Sequence, residues 1–195
     1  MIDGFDWARL AHAYGQATDT PGHLAALTSR DERERMDAVA HLDSAILHQG
    51  FPGTATAPAA RVVSLLIATD AVDADVRDEL VDFLGAVAYA TSQFSGDPDF
   101  AALIPELEAS IVEGYRAVAG VLDRGALVPR VRAAEAAVEQ LRLPRLASER
   151  APMAARLREW IMQSDENRQV WVRLLGDLGE DVGGFLDGPD RAVRI

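Results

Sequence analysis

Asp31-Glu32-Arg33-Glu34-Arg35-Met36-Asp37-Ala38-Val39-Ala40-His41-Leu42 and Asp73-Ala74-Asp75-Val76-Arg77-Asp78-Glu79-Leu80-Val81-Asp82-Phe83-Leu84 are two versions of one pattern. At an offset of 42 residues Asp31 matches Asp73, Arg35 matches Arg77, Asp37 matches Glu79, Val39 matches Val81 and Leu42 matches Leu84, while Leu24 falls on Leu66. An offset of 91 sets Arg77 on Arg168, Leu80 on Trp171, Phe83 on Leu174, Leu84 on Leu175, Gly85 on Gly176 and Val87 on Leu178. Each copy is an acid, an Arg about one turn later, and an apolar stripe ending in Leu or Leu-Gly. The acid favours the positive N-terminus of a helix. The Arg is placed to bridge to a neighbouring unit. Such self-similarity belongs to stacked helix pairs, in which each unit covers a face that its neighbour leaves open. Phe100 to Leu143 fits the pattern less well, with Val131-Arg132 its best local match.

Outward from these stretches the periodicity predicts helices almost throughout. The first is expected over Phe5 to Ala17, capped by Asp6, with Trp7, Leu10, Ala11 and Tyr14 on one face. Thr20 as N-cap and Pro21 at the first helical position start a short helix carrying Leu24 and Leu27. Ser29 opens a longer one that Gly50 ends, and residues 51 to 57 form a loop before Pro58 restarts the helix. Asp70 and Asp73 bracket a turn, a helix follows to about Phe94, and Ser95-Gly96-Asp97-Pro98-Asp99 is the clearest break. Further helices are expected over Phe100 to Asp123, with Pro105 and Gly114 as weak points and Gly125 as the stop, and over Val128 to Leu143. The last two start at Pro152 and at about Asp165. No strand is expected. The predicted architecture is all-α, an α-α superhelix of about four to five stacked helix pairs, with one domain over 1–182 and a loosely held tail over 183–195.

Composition narrows the function. The chain has 195 residues, 49% of them hydrophobic and 26% charged, enough for a sizeable core. It has no Cys, so disulfides, thiolate metal sites and a Cys nucleophile are excluded. All 19 basic residues are Arg, and abundant Ala and Arg without Lys or Cys point to a GC-rich bacterial genome. No basic stretch precedes an apolar run at Met1 to Asp6, and no run reaches the length of a membrane span, so the expected location is cytoplasmic. Net charge is −12, which opposes nucleic-acid binding and an electrostatic membrane anchor. The charge is uneven: residues 1–129 carry −12, residues 130–158 carry +4 and residues 159–195 carry −4.

The N-terminal portion resembles a group of actinobacterial HEAT-repeat proteins. The resemblance rests on Asp6-Trp7, Tyr14-Gly15, Ala17, Asp19, Pro21, Leu24 and Leu27, then on His48-Gln49-Gly50, Ala55-Thr56 and Ala57-Pro58-Ala59. It covers residues 5–90 well and the rest loosely. Ile46 and Leu47 stand where that group often has aromatics. The resemblance implies an α-solenoid and, from some similar proteins, an immunity or adaptor role.

Side-chain constellations offer little catalytic chemistry. The four His are His12, His23, His41 and His48, and none is spaced HxxxH or HExxH. His41 and His48, seven apart, would be about 10.5 Å apart along a helix axis, too far for one metal without another partner. Ser44 and His48 share a helical face, but a helix interior supplies no oxyanion pocket. Gly50-Phe51-Pro52-Gly53-Thr54 lacks the Lys of a phosphate loop. Paired acids such as Asp78 and Asp82 read as solvated helix face. The expectation is therefore no enzyme, no metal and no cofactor. His48, Gln49 and Thr54 form a distinctive polar edge, readable as a recognition surface or as a helix C-cap. Arg130, Arg132, Arg142, Arg145, Arg156 and Arg158 form a basic stretch, and Arg132 and Arg142 join the polar edge as candidate partner contacts. The expected function is protein interaction as a scaffold or adaptor, with a basic protein or peptide as partner. One alternative is an immunity protein neutralising a basic toxin. Another, opposed by the net charge, is a HEAT-like nucleic-acid-processing protein.

Overall fold

The computed structural model describes residues 2–124, 127–163 and 165–186. The expected helix stop at Gly125 and most of the expected tail, residues 187–195, lie outside them. Two compact units are present, Met1–Gln140 and Leu141–Ile195. The described residues are helical almost throughout, and none of their helices is long and apolar enough to cross a membrane.

The first unit departs from expectation at its start. Instead of a helix over Phe5 to Ala17, 3-10 turns at Ile2–Gly4 and Trp7–Arg9 lead into a two-stranded hairpin, β1 (Ala11–His12) and β2 (Gly15–Gln16). The segment's backbone groups find partners other than their own i−4 neighbours. Ala13 N–H donates to Ala45 O, Ala17 N–H to Leu10 O, and Ala11 N–H to Thr54 Oγ1, while Ala11 O accepts from Ala55 N–H. Gly15 takes φ +128°, which a helix excludes. Trp7 stays buried, with its indole N–H on Ile2 O. Helical spacing was present, but tertiary hydrogen bonds outweighed it.

Three helix pairs follow: α1 (Thr20–Ala26) with α2 (Glu32–His41), α3 (Thr56–Ala68) with α4 (Ala74–Phe94), and α5 (Ile104–Arg124) with α6 (Leu127–Gln140). Within each pair the helices pack together. Across pairs α1 packs on α3 and α3 on α5, while α2 packs on α4 and α4 on α6. First helices thus contact first helices, and second contact second. α3 is sandwiched in the middle and buries nearly all its length, including Val62, Val63, Leu66 and Ile67. α4 buries Val76, Leu80, Phe83, Leu84 and Val87 at helical spacing, as expected.

Boundaries shift in instructive ways. Asp19, not Thr20, precedes α1, because the Thr20 hydroxyl is engaged by His41. α2 starts at Glu32 rather than Ser29: Asp31 caps it, accepting from Arg33 N–H at 2.9 Å. A π-turn over Leu42–Ile46 and a 3-10 turn over His48–Gly50 then finish the segment. α3 begins at Thr56, two residues before Pro58, with Thr56 Oγ1 donating to Ile46 O. α5 begins at Ile104, after a turn that stacks Phe100 on Phe94 with ring centroids 4.2 Å apart. Gly114 is not a weak point of α5 but a close approach, since a Cβ there would lie 2.5 Å from Ser64 Oγ on α3.

The second unit holds α7 (Ala147–Gln163), α8 (Arg168–Asp177) and the short α9 (Gly183–Leu186). Pro152 does not start α7 but sits inside it, five residues past Ala147. A 3-10 turn at Pro144–Leu146 starts the helix early, and Leu146 is buried beneath it. α7 and α8 bury Leu157, Ile161, Leu174 and Leu175, and the rings of Trp160 and Trp171 meet at 4.9 Å.

The arginines of the repeat have a common role. Arg35 donates to Ser29 O at 3.1 Å, Arg77 to Val72 O at 3.2 Å, and Arg168 to Ile161 O at 2.8 Å. Each therefore ties its own helix to the chain leading into it.

Candidate functional site

The outer face of α4 is the floor of two adjoining depressions. Toward α2, Val39, Leu42, Leu47, Phe83 and Ala86 are bordered by Asp43, Glu79 and Asp82. Toward α6, Gly85, Ala86, Tyr89 and Ala136 are bordered by Asp82, Glu135 and Glu139. Asp82 and Ala86 belong to both, so the two form one groove crossing α4. Small residues make it. A Cβ on Gly85 would lie 3.1 Å from Ala136 Cα, so Gly85 lets α6 approach closely. Ala86 leaves space above the floor, and Tyr89 stands 52% exposed at one end.

Two of the rim carboxylates share a cation. Arg132 on α6 donates to Glu79 at 3.1 Å and to Asp82 at 2.5 Å. The fields of Asp82 and Glu79 hold its pKa above the ordinary guanidinium value against burial. Asp82 is nevertheless raised above the usual carboxylate range, first by burial and then by the repulsion of Glu79 and Glu135, which Arg132 opposes. Asp78 is raised too, first by burial, with Glu79 and Asp75 adding to it against Arg132 and Arg77. A carboxylate that resists ionising, as Asp82 does, gains from an added cation.

The sequence-predicted residues divide. His48 and Thr54 both meet the hairpin: Thr54 Oγ1 accepts from Ala11 N–H at 2.7 Å, and the Tyr14 hydroxyl lies 3.4 Å from His48 Nδ1. His48 Nδ1–H donates to Ser44 O at 2.8 Å, so the ring takes the backbone of Ser44, not its hydroxyl. Gln49, exposed at φ +51°, and Gly50, at φ +81°, turn the chain, which is the capping reading of this edge. Arg132 is in the groove. Arg142 is in the second unit, where its carbonyl accepts from Arg150 at 3.1 Å. Arg158 there pairs with Glu180.

A second cluster was not foreseen. His12 Nε2 lies 2.9 Å from Asp19 Oδ1, and His41 Nε2 lies 3.1 Å from Thr20 Oγ1. The His12 and His41 rings meet edge-on at 5.5 Å, and His23 stacks on His41 at 4.0 Å. Burial first, then the field of His23, push His41 down to about 4 although Asp19 pulls the other way. The ligand-capable atoms of His12, Asp19 and His41 all lie within 4.8 Å of one another.

Neither arrangement has a local motif. The groove had one signal: Glu79, Asp82, Ala86 and Tyr89 are spaced three and four apart, one face of α4. The cluster had only the confinement of all four His to the first 48 residues. Comparison with protein-family models, with curated proteins and with solved structures found no match to this chain.

Proposed function

We propose that this protein is a non-enzymatic interaction module, a HEAT-like scaffold that holds a basic, apolar-faced segment of a partner protein across α4. The observation that carries this reading is the groove's composition: an apolar floor of Val39, Leu42, Phe83 and Ala86 between Asp43, Glu79, Asp82, Glu135 and Glu139. An amphipathic helix lays its apolar face into such a groove and leaves its charges at the rim. Arg or Lys there would meet carboxylates, and the net charge of −12 would steer a basic partner in. The packing of like helix on like helix supports an α-solenoid superhelix. Neutralising a basic toxin is one concrete form of the same binding.

The test is fluorescence anisotropy with a labelled amphipathic helix of Arg and Leu, beside its Glu-for-Arg counterpart. Binding of the basic peptide should weaken from about 50 to about 500 mM salt, as screening shortens the reach of the rim charges. Ala86→Arg should abolish it by filling the floor and offsetting part of the rim's negative charge. Equal binding of both peptides, or undiminished binding to Ala86→Arg, defeats the proposal. Salt-sensitive capture of plain duplex DNA by the wild-type chain would favour a nucleic-acid role instead.

A further inference from the structure

We propose that His12, Asp19 and His41 form a binding site for a first-row divalent transition metal ion, separate from the α4 groove. Three elements supply the three ligands: β1 gives His12, the residue before α1 gives Asp19, and the last residue of α2 gives His41. Their donor atoms lie within 4.8 Å of one another. Four-coordinate zinc with bonds of about 2.0–2.2 Å holds its ligands about 3.3 Å apart, so His41 has to move inward by up to about 1.5 Å. His12 and Asp19 are already at 2.9 Å.

Burial suits the role. The His12 side chain is 5% exposed and His41 is 8% exposed, whereas the Asp19 side chain is 54% exposed. The cluster therefore opens to solvent on one side, where water can complete the coordination. Two imidazoles and a carboxylate favour a borderline cation such as Zn2+ over Mg2+ or Ca2+, which take oxygen ligands. One carboxylate also offsets part of the ion's charge.

The ligands need the right protons. His41 Nε2 lies 3.1 Å from the Thr20 hydroxyl, which can rotate away. His12 has to change more. Its Nδ1 accepts from Tyr14 N–H at 3.1 Å, so Nε2 carries the proton that Asp19 receives. Metal binding at Nε2 moves that proton to Nδ1 and releases the Tyr14 amide. The amide lies in the two-residue turn between β1 and β2, where a change of turn geometry is local. The hydrogen bonds given up by His12 and His41 are replaced by the stronger metal–ligand bonds.

The experiment is calorimetric titration of the untagged, chelator-treated chain with ZnCl2, beside the visible spectrum with Co2+. One equivalent should bind, with the ligand-field bands of four- or five-coordinate Co2+. His12→Gln and His41→Gln should each weaken Zn2+ by at least about 100-fold, while the exposed Asp99→Asn should not change it. Should His41→Gln fail to fold, the imidazole 15N resonances of the wild type decide, since those of His12 and His41 should shift on adding one equivalent. No stoichiometric binding, retention of affinity in His12→Gln, or unshifted His12 and His41 resonances would overturn the proposal.

Discussion

Arg35 Nη2 lies 3.5 Å from Asp73 Oδ2, so the Arg of one repeat copy reaches the acid that opens the next. Asp75 is at 3.6 Å from the same nitrogen. Arg35 is 9% exposed and also donates to Ser29 O and Arg30 O. The carboxylates are exposed, so the ion pairs contribute little and the part-buried bonds to carbonyls contribute most. Arg35→Met should cost about 2–4 kcal/mol, because it strands those carbonyls at the entry to α2. Asp73→Asn should cost at most about 1 kcal/mol. Urea denaturation of both variants checks the ordering, and an equal loss in the two would place the strength in the ion pair instead.

Gly114 tests whether α3 and α5 are held at fixed distance. Its missing Cβ would stand 2.5 Å from Ser64 Oγ, whose hydroxyl donates to Ala60 O at 2.7 Å. Gly114→Ala improves helix propensity, yet it should destabilise by about 1–3 kcal/mol through overpacking. Adding Ser64→Ala removes the oxygen and leaves the Ser64 Cβ position at an ordinary 3.5 Å. The double variant should regain most of the loss. Thermal unfolding of the two variants gives the answer, and an unaffected Gly114→Ala would mean that the helices separate easily.

What the sequence made legible was whatever repeats or follows helical period. α4 was readable from Val76 to Val87 because Val76, Leu80, Leu84 and Val87 recur at helical spacing on one buried face. The Arg ladder was readable because Arg35 and Arg77 occupy one register. The hairpin was not, since Leu10, Ala11 and Tyr14 satisfy a helical pattern while the N–H groups of Ala11 and Ala13 are claimed by Thr54 and Ala45, more than thirty residues on. The groove was half legible. Asp82 looked like a solvated acid, and only packing beside α6 made it a member of the rim. His12, Asp19 and His41 come together solely through tertiary structure, which no spacing rule reports.

Carboxylates raised in the free protein give the peptide affinity a pH dependence. Asp82 at the rim, and Asp78 one turn before it on α4, hold protons to higher pH than an ordinary Asp, chiefly through burial. A bound cation favours their ionised forms, so binding releases protons. Affinity for a basic peptide should therefore rise with pH through the carboxylate range and level off above it. Asp82→Asn should lower the plateau roughly two- to fivefold and flatten the rise. Anisotropy titrations at several pH values measure both, and an affinity that grows on acidification would contradict the rim's role.

His41 gives the chelated protein a second, separate pH dependence. Burial, with the fields of His23 and His12, lowers its pKa to about 4, against the opposing field of Asp19. In the unfolded chain an ordinary His titrates near about 6.5. On acidification the unfolded chain takes up the proton first, so protonation favours unfolding. The stability from keeping His41 neutral is complete above the unfolded value. It falls progressively from about 6.5 to about 4 and changes no further below that. At about 1.4 kcal/mol per pKa unit, discounted for solvent screening, the loss should approach about 2 kcal/mol. Urea midpoints across this window, with chelator present, should fall less steeply for His41→Gln than for the wild type. Equal slopes would mean that His41 takes up its proton without strain on the fold, and that the stacked His23 ring yields to it.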